Sequence, residues 1–467
     1  MAGAKLAPIA SGAFVLGIVL ANLDWPLFFL LIVAWVGVVF MGFVGKTKIS
    51  TTVFFWFYLA GFIYTAIFAN YVVNRLILPE NQISGKIIAD PEISGRYSYF
   101  SAELSPPGRG KIAVRLDSIF SLKYGDEFIL RGNWLRGKIV KETPLFGAVE
   151  VESVEANEKT GIKKELYSFK KSLAVKMRSY LNGEAAALAS GITLGDTSGF
   201  SYELKEDMKK SGTTHLVALS GYNIALVILT ISSMLEFWVS RRKSFWIIVV
   251  FVVLFTVMTG AASSVSRAAI MGLTMLLAGQ MGRYYDSERA LIFTAAAMLL
   301  PNPLLFRNDL GFTLSFLSFC GIAYVGPLLK NWLGWNKKED ISSWRKNFLH
   351  TASAQIAVLP VLSLYGGSFS ATSLLANVLV LAVTPLGMFL GFLSLGLGLM
   401  VNYLGQLLAW LLAPVLIYQL AVIRLFSLWN ISFYKSSWLG PWPIYFFCAW
   451  LLFLILRQKI NNKEYAK

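Results

Sequence analysis

The residues best placed to do chemistry lie between positions 191 and 226, GITLGDTSGFSYELKEDMKKSGTTHLVALSGYNIAL. Gly195-Asp196-Thr197-Ser198-Gly199 is a turn of small and polar residues, and a charged segment from Glu203 to Lys210 follows. His215 and Ser220-Gly221-Tyr222-Asn223 then sit inside an apolar run. Polar groups at membrane depth are expensive and mostly face a cavity or the interior of a helix bundle. Helical spacing places His215, Leu219 and Tyr222 on one face with Asn223 beside them. Two readings stay open: the lining of an internal path, or a packing face on which Ser220 and Gly221 let helices approach closely. Three further polar islands repeat the theme. Residues 260–268, GAASSVSRA, put Ser266 and Arg267 among small residues. An arginine at the centre of a span costs about 2.5–3.5 kcal/mol on insertion scales, so it should line an aqueous path, pair with an acid or snorkel. Residues 307–316, RNDLGFTLSF, put Asp309 at the mouth of a span, and Gln355 and Asn377 interrupt otherwise apolar runs.

No catalytic set emerges. There is no nucleophile elbow, no Walker loop and no multi-histidine metal signature. The chain has 2 histidines, His215 and His350, and 2 cysteines, Cys320 and Cys448, both in apolar runs without a disulfide framework. The expectation is a protein that is not an enzyme and holds no cofactor and no metal. Without an ATP-binding fingerprint it must conduct passively, couple to a gradient or borrow energy from a partner.

The elements that position these residues are set by composition. Of 467 residues 56% are hydrophobic and only 15% are charged, against about a quarter charged in soluble proteins. The net charge of +16 is read first as positive-inside anchoring. Residues 7–22, 26–45 and 51–70 each supply the roughly 20 apolar residues of a spanning helix. The first has signal-peptide character, but a retained span is preferred because two more follow at once. From 71 to 160 there are twelve Lys/Arg and twelve Asp/Glu. Strand-like stretches there at Ile83–Ile88, Arg96–Leu104, Lys111–Leu116, Glu127–Trp134 and Ala148–Val154 predict a small antiparallel β-domain, of a size that fits an OB-like barrel. Residues 161–182 predict a basic helix with Leu166, Phe169, Leu173, Val175, Met177 and Leu181 on one side, either interfacial or a solvated linker.

Beyond it, candidate spans lie near 213–238, 245–262, 264–282, 288–305, 310–331, 347–365, 370–386, 387–402, 404–429 and 440–456. Pro360, Pro385 and Pro414 within these runs predict half-helices or re-entrant segments. The fold class is therefore a polytopic α-helical membrane protein of about 12 spans with an inserted all-β OB-like domain. Its regions are a three-span start (1–70), the β-domain (71–160), an amphipathic segment (161–212), a membrane domain (213–456) and a basic tail (457–467). Lys5, Lys46 and Lys48 fall on one side, expected cytoplasmic, which places the β-domain outside. Loops with Arg241, Arg242 and Lys243, with Arg283 and Arg289, and with Lys337, Lys338, Arg345 and Lys346 keep the alternation. The basic tail then comes out on the wrong side, so one of the last segments is expected not to cross.

The run ITLGDTSG…SGTTHLVALSGYNI resembles the ComEC-type competence proteins, a family of inner-membrane DNA-uptake channels. Gly260-Ala261-Ala262-Ser263-Ser264-Val265-Ser266-Arg267-Ala268 resembles a second block of that family. Asn302-Pro303 with Asp309-Leu310-Gly311-Phe312-Thr313-Leu314-Ser315-Phe316 resembles a third. Ala354-Gln355, Pro360, Gly366-Gly367, Ser370 and Ala376-Asn377 resemble a fourth, and Leu122–Leu135 resembles part of the family's OB-like domain. The blocks are collinear over nearly the whole chain. Asn223 stands where the family commonly has histidine and Thr313 where it has glutamine, and neither keeps a titratable group. Many members carry a C-terminal metallo-β-lactamase-like domain, and this sequence stops at Lys467 before one.

What the resemblance implies is a channel in the cytoplasmic membrane that passes single-stranded transforming DNA inward. Membrane lipids, an outer DNA receptor, a cytoplasmic DNA-translocating ATPase and a separate nuclease are its implied partners. The expected path residues are Asp196, His215, Ser220, Tyr222, Asn223, Ser266, Arg267, Asp309, Gln355 and Asn377. A polyanion must be attracted by basic groups at the mouth. Arg109, Lys111, Arg131 and Arg136 of the β-domain, and Lys163, Lys164, Lys170, Lys171, Lys176 and Arg178 of the basic helix, are the expected approach residues. The competing reading is a secondary transporter or channel for a small anionic solute, and a third is an assembly protein in which the polar islands hold helices together.

Overall fold

A computed structural model describes residues 2–22, 48–75, 82–87, 92–94, 97–105, 111–116, 126–131, 134–140, 143–148, 157–158, 162–217, 221–236, 239–335, 343–364, 369–370, 372–429 and 432–433. The helices are α1 (Ala2–Ala21), α2 (Lys48–Arg75), α3 (Ile162–Tyr180), α4 (Gly183–Leu194), α5 (Tyr202–Lys210), α6 (Gly221–Glu236), α7 (Arg241–Met258) and α8 (Ser263–Gln280). They continue as α9 (Ser287–Leu299), α10 (Leu305–Asn308), α11 (Leu310–Cys320), α12 (Gly326–Trp332), α13 (Ser343–Leu364), α14 (Ser373–Met400) and α15 (Asn402–Leu428). The fold is thus mostly helical, with one eight-stranded sheet and a two-stranded pairing of Phe369–Ser370 with Ser432–Phe433. It divides into two compact units. The first takes the described residues of Met1–Phe169, Phe245–Ala261 and Ala269–Leu310, the second those of Lys170–Ser244, Ala262–Ala268 and Gly311–Lys467.

In the first unit α1 crosses α2 at two glycines. A Cβ on Gly17 would collide with the carbonyl of Tyr58, and one on Gly61 with the carbonyl of Phe14. Small residues at a crossing let two apolar helices bring their backbones together. The buried Asn22 side chain donates to the Pro303 carbonyl at 2.9 Å, and Tyr64 donates to the Leu300 carbonyl, tying this pair to the end of α9. Asp286 caps α9, accepting from the N–H groups of Glu288 and Arg289 at 3.1 and 3.2 Å.

The sheet of the same unit contains β1 (Gln82–Ile87), β2 (Glu92–Ser94), β3 (Tyr97–Leu104), β4 (Lys111–Leu116), β5 (Asp126–Arg131), β6 (Trp134–Val140), β7 (Thr143–Ala148) and β8 (Asn157–Glu158). Its order is β6-β7-β4-β3-β1-β5-β8, with β2 on β3. Every pair is antiparallel except β4 with β7. Phe100, Ala102 and Leu104 alternate inward on β3 and Ile112 and Val114 on β4, all buried with Ile87 and Phe128. The Phe100 and Phe128 rings meet edge-on at 5.3 Å. The fifth strand expected at Ala148–Val154 instead ends at Ala148 and begins at Thr143. Pro144 is tolerated there because it sits at the strand's start, where a missing N–H costs least. The stretch 149–156 lies outside the described residues, and β6 had no counterpart in the sequence reading.

In the second unit α4 is buried at every residue from Ala186 to Leu194. A helix apolar all round belongs in a core, and at about 18 Å it is too short to cross roughly 30 Å of hydrocarbon. It lies against α14 and α15, with Thr193 seated on Gly391 and Ile192 on Gly387. Among the described residues, three helices are long and apolar enough to cross a membrane: Leu310–Trp332, Ser373–Met400 and Asn402–Leu428. The first runs from α11 to α12 through a π turn, Gly321–Val325. At that turn a Cβ on Gly321 would strike the carbonyl of Ser353 in α13.

The expected break between 370–386 and 387–402 is absent. Pro360, Pro385 and Pro414 lie inside the continuous helices α13, α14 and α15, because packed neighbours can re-satisfy the backbone groups that proline frees. The candidate spans 26–45 and 440–456 and the tail 457–467 lie outside the described residues.

Helix α3 matches the expected basic helix, but its apolar side is divided. Leu173, Met177 and Leu181 are buried together with Tyr180, whereas Phe169 and Val175 are exposed. Val175 lies two residues from Leu173, about 200° around the helix, and so falls off the stripe.

Candidate functional site

Three polar clusters form in the second unit. The first is the turn 195–199. Gly195 takes the left-handed conformation, φ 66°, that ends α4, with its N–H on the Gly191 carbonyl at 2.9 Å. Asp196 Oδ1 accepts from the Ser198 N–H at 3.1 Å. From the last turn of α3, Arg178 donates to Asp196 Oδ2 at 3.4 Å and to Ser198 Oγ at 3.0 Å. Lys170 donates to the Gly195 carbonyl at 3.4 Å. Gly199 lies under the guanidinium; a Cβ there would sit 2.8 Å from it and push the arginine tip aside. Three residues predicted separately, Asp196, Lys170 and Arg178, are therefore in one place. The pair is partly exposed and so contributes modestly to stability.

The turn continues into α5, where Ser201 accepts from the Leu204 N–H at 3.1 Å and donates to Glu184 Oε1 at 3.1 Å. Glu184 Oε2 in turn accepts from Arg424 of α15 at 2.6 Å. Below it, the Tyr180 hydroxyl donates to Asn402 Oδ1 at 2.7 Å.

The second cluster surrounds Arg267. Its half-buried side chain starts near the beginning of α8, just after Ser263, Ser264 and Ser266. Nε–H donates to the Ser315 hydroxyl on α11. The guanidinium carbon lies 5.9 Å from the Phe319 ring centroid, one helical turn beyond Ser315. Gly221, the first residue of α6, faces the same guanidinium; a Cβ there would sit 3.2 Å from it. Arg267, Ser315 and Gly221, from three stretches far apart in sequence, thus meet at this guanidinium.

The third cluster joins α13 to α14. Gln355 donates to the Ser373 hydroxyl at 3.0 Å, and the buried Asn377 follows one turn later on α14. Gly212, at φ 69°, packs directly against the Ser373 Cβ. The neighbouring Ser211 and Thr213 hydroxyls are 2.8 Å apart and buried.

The remaining predicted residues are more dispersed. His215 is exposed in a short 3-10 turn, Thr214–Leu216, and α6 runs from Gly221. Leu219, which the expected helical face places between His215 and Tyr222, lies outside the described residues. Ser220 lies outside the described residues, and Tyr222 is described only in its backbone. Asn223 is buried and donates to the Ile192 carbonyl of α4 at 3.4 Å. Ser266 is half-buried beside Arg267. Asp309, half-buried, belongs to the first unit and caps α10.

Of the approach residues, Lys163, Lys171 and Arg178 are exposed and Lys164, Lys170 and Lys176 half-buried on α3. Lys111, Arg131 and Arg136 fall on β4, β5 and β6, and Arg109 lies outside the described residues. Among the described residues no group of His, Cys, Asp and Glu is arranged to hold a metal ion.

Sequence reasoning missed Ser315 and Phe319, although both lie in or beside the third polar block. It also missed Ser373, and the Glu184–Arg424 pair. Arg424 carried the same signal as Arg267, a lone charge inside an apolar run.

A family model described as Competence protein matches residues 192–460. That range holds most of the three clusters, from Ile192 through Asn377. ComE operon protein 3 of Bacillus subtilis (strain 168) is 26% identical over 227 residues, which is 48% of this chain and 28% of that protein. The chain therefore matches less than a third of that relative's length. No solved structure matches.

Proposed function

This chain belongs to the competence protein family, and from that premise we propose that it is a membrane channel for the inward passage of single-stranded DNA during natural transformation. The observation that carries the reading is the Arg267 cluster. A guanidinium is held among small and hydroxyl residues where three family-like blocks converge, in a membrane protein whose neighbouring helices are apolar. Such a charge lowers the barrier for a phosphodiester. The Gln355–Ser373–Asn377 cluster supplies neutral donors of the kind a phosphate or base edge would use next.

The same reading extends to the architecture. Three described helices are long and apolar enough to cross a membrane, and the reading takes the other apolar stretches of the sequence as further crossings, about 12 in all. The β-domain is taken as OB-like: the antiparallel β1–β3, β1–β5, β3–β4 and β6–β7 pairs with the single parallel β4–β7 pair support a small barrel of that kind. The loop charges put this domain on the outer side of the cytoplasmic membrane, with the lysines of α3 nearby in sequence to draw a polyanion. An outer DNA receptor and a cytoplasmic translocating ATPase would deliver and pull the strand.

The test follows labelled DNA in transformable cells deleted for this protein. DNA is expected to bind and stop outside the cytoplasm. Normal cytoplasmic arrival in the deleted strain would refute the channel.

A further inference from the structure

Away from that path, aromatic and basic side chains collect at one end of the candidate span Leu310–Trp332. Trp332 closes the span and is 81% exposed. Trp335 follows within a turn, and Trp344, 51% exposed, starts α13 together with Arg345 and Phe348. The Arg345 guanidinium carbon lies 5.4 Å from the Trp335 ring centroid and 5.5 Å from that of Trp344. The two indoles meet edge-on at 5.9 Å, and Phe348 packs on Trp335 at 5.9 Å. The arginine therefore stands in a corner between two rings. A cation–π contact uses the ring faces and leaves the planar fork of N–H donors for an oxyanion. Arg345 and its neighbour Lys346 are both exposed, and the half-buried Lys330 adds a third positive charge near the end of the span.

We propose that this corner binds the headgroup phosphate of an anionic phospholipid. Indole rings settle at the headgroup level of a bilayer, where one side of the ring is apolar and the other wet. A span's end puts this cluster at that depth. The guanidinium then meets the phosphate with paired hydrogen bonds, and the lysines favour a lipid with net negative charge. A nucleobase fits less well. Stacking needs an open aromatic face, and Trp335 is surrounded by Arg345, Trp344 and Phe348. The inference does not rest on the channel reading and would hold for any function of the membrane domain.

The test uses the full-length protein in detergent, titrated with phosphatidylglycerol or phosphatidylcholine. Retained lipid is counted by native mass spectrometry and thermal stability is followed in parallel. The wild type should retain phosphatidylglycerol in preference to phosphatidylcholine. Arg345→Gln should weaken phosphatidylglycerol binding roughly five- to tenfold and leave phosphatidylcholine binding unchanged. Arg345→Lys should recover part of the loss, as a charge without the fork. If Arg345→Gln lowers Tm in phosphatidylcholine, Trp344→Phe is read in its place, with a smaller loss in the same direction. Unchanged phosphatidylglycerol binding in the variant that keeps its Tm would overturn the proposal. So would Arg345-dependent binding of a thymidine oligonucleotide that phosphatidylglycerol does not displace.

Discussion

Arg267→Ala is expected to cut DNA uptake about a hundredfold while the protein still reaches the membrane in normal amounts. A charge at the centre of an apolar span costs roughly 3 kcal/mol, and a phosphodiester passing the same depth meets a barrier of that order. A facing guanidinium offsets it, and about 3 kcal/mol in a barrier is about two orders of magnitude in rate. Folding should tolerate the change, because the side chain is half-buried and alanine is smaller and apolar, even though the contacts to Ser315 and Phe319 are lost. Arg267→Lys keeps the charge but not the planar Nε–H bond to Ser315, so it should fall between the two. Transformation frequency, cytoplasmic label and membrane-fraction abundance decide the matter. Wild-type uptake in the alanine variant would assign Arg267 a packing role.

Gly405→Val should have the largest effect on folding. A Cβ at Gly405 would lie 2.6 Å from the Gly398 Cα, 2.8 Å from the Tyr180 hydroxyl and 2.9 Å from the Ser394 carbonyl. Two of these are backbone, so α14 and α15 must separate. Separation also strains the Tyr180–Asn402 bond and the Ser394 hydroxyl's bond to the Gly405 carbonyl at 2.7 Å. Overpacking of up to about 3 kcal/mol and the loss of a net hydrogen bond of about 1 kcal/mol predict a protein about 4 kcal/mol less stable. Spread over 467 residues that is a fall in Tm of about 4 °C, or failure to accumulate. Gly396→Ala on α14 is the matched control, since no atom lies within 4 Å of its added Cβ. Equal Tm in both variants would contradict the packing described.

The sequence disclosed the elements better than their joints. Apolar runs located α11 to α12, α14 and α15, because hydrophobic length is a local property. Strand stretches found β1, β3 and β4 nearly residue by residue, since alternation is also local. The prolines misled, because a proline breaks a helix only when its neighbours cannot satisfy the freed carbonyl, and those neighbours are distant in sequence. The character of α4 was hidden for a similar reason. Its residues GEAAALASGITL look unremarkable, and their burial on all sides is decided by α14 and α15, some two hundred residues later. At the site, Gln355 and Asn377 stood out as polar residues in apolar company, Arg267 as a charge among small ones and Asp196 as part of a polar turn. Their partners Ser315 and Ser373 did not, because a hydroxyl in a span is cheap once it bonds its own helix or a neighbour. The pairing of Arg178 with Asp196 required knowing that α3 returns to the end of α4.

In the proposed channel DNA passes beside Arg267. The most direct measurement places a photo-crosslinking residue at Ser266 and, separately, at Leu411, which is 57% exposed on α15. Cells taking up labelled single strands are irradiated during transfer. Adducts of DNA with the protein are expected from position 266 and not from position 411. No adduct from 266, or equal adducts from both positions, would contradict the account.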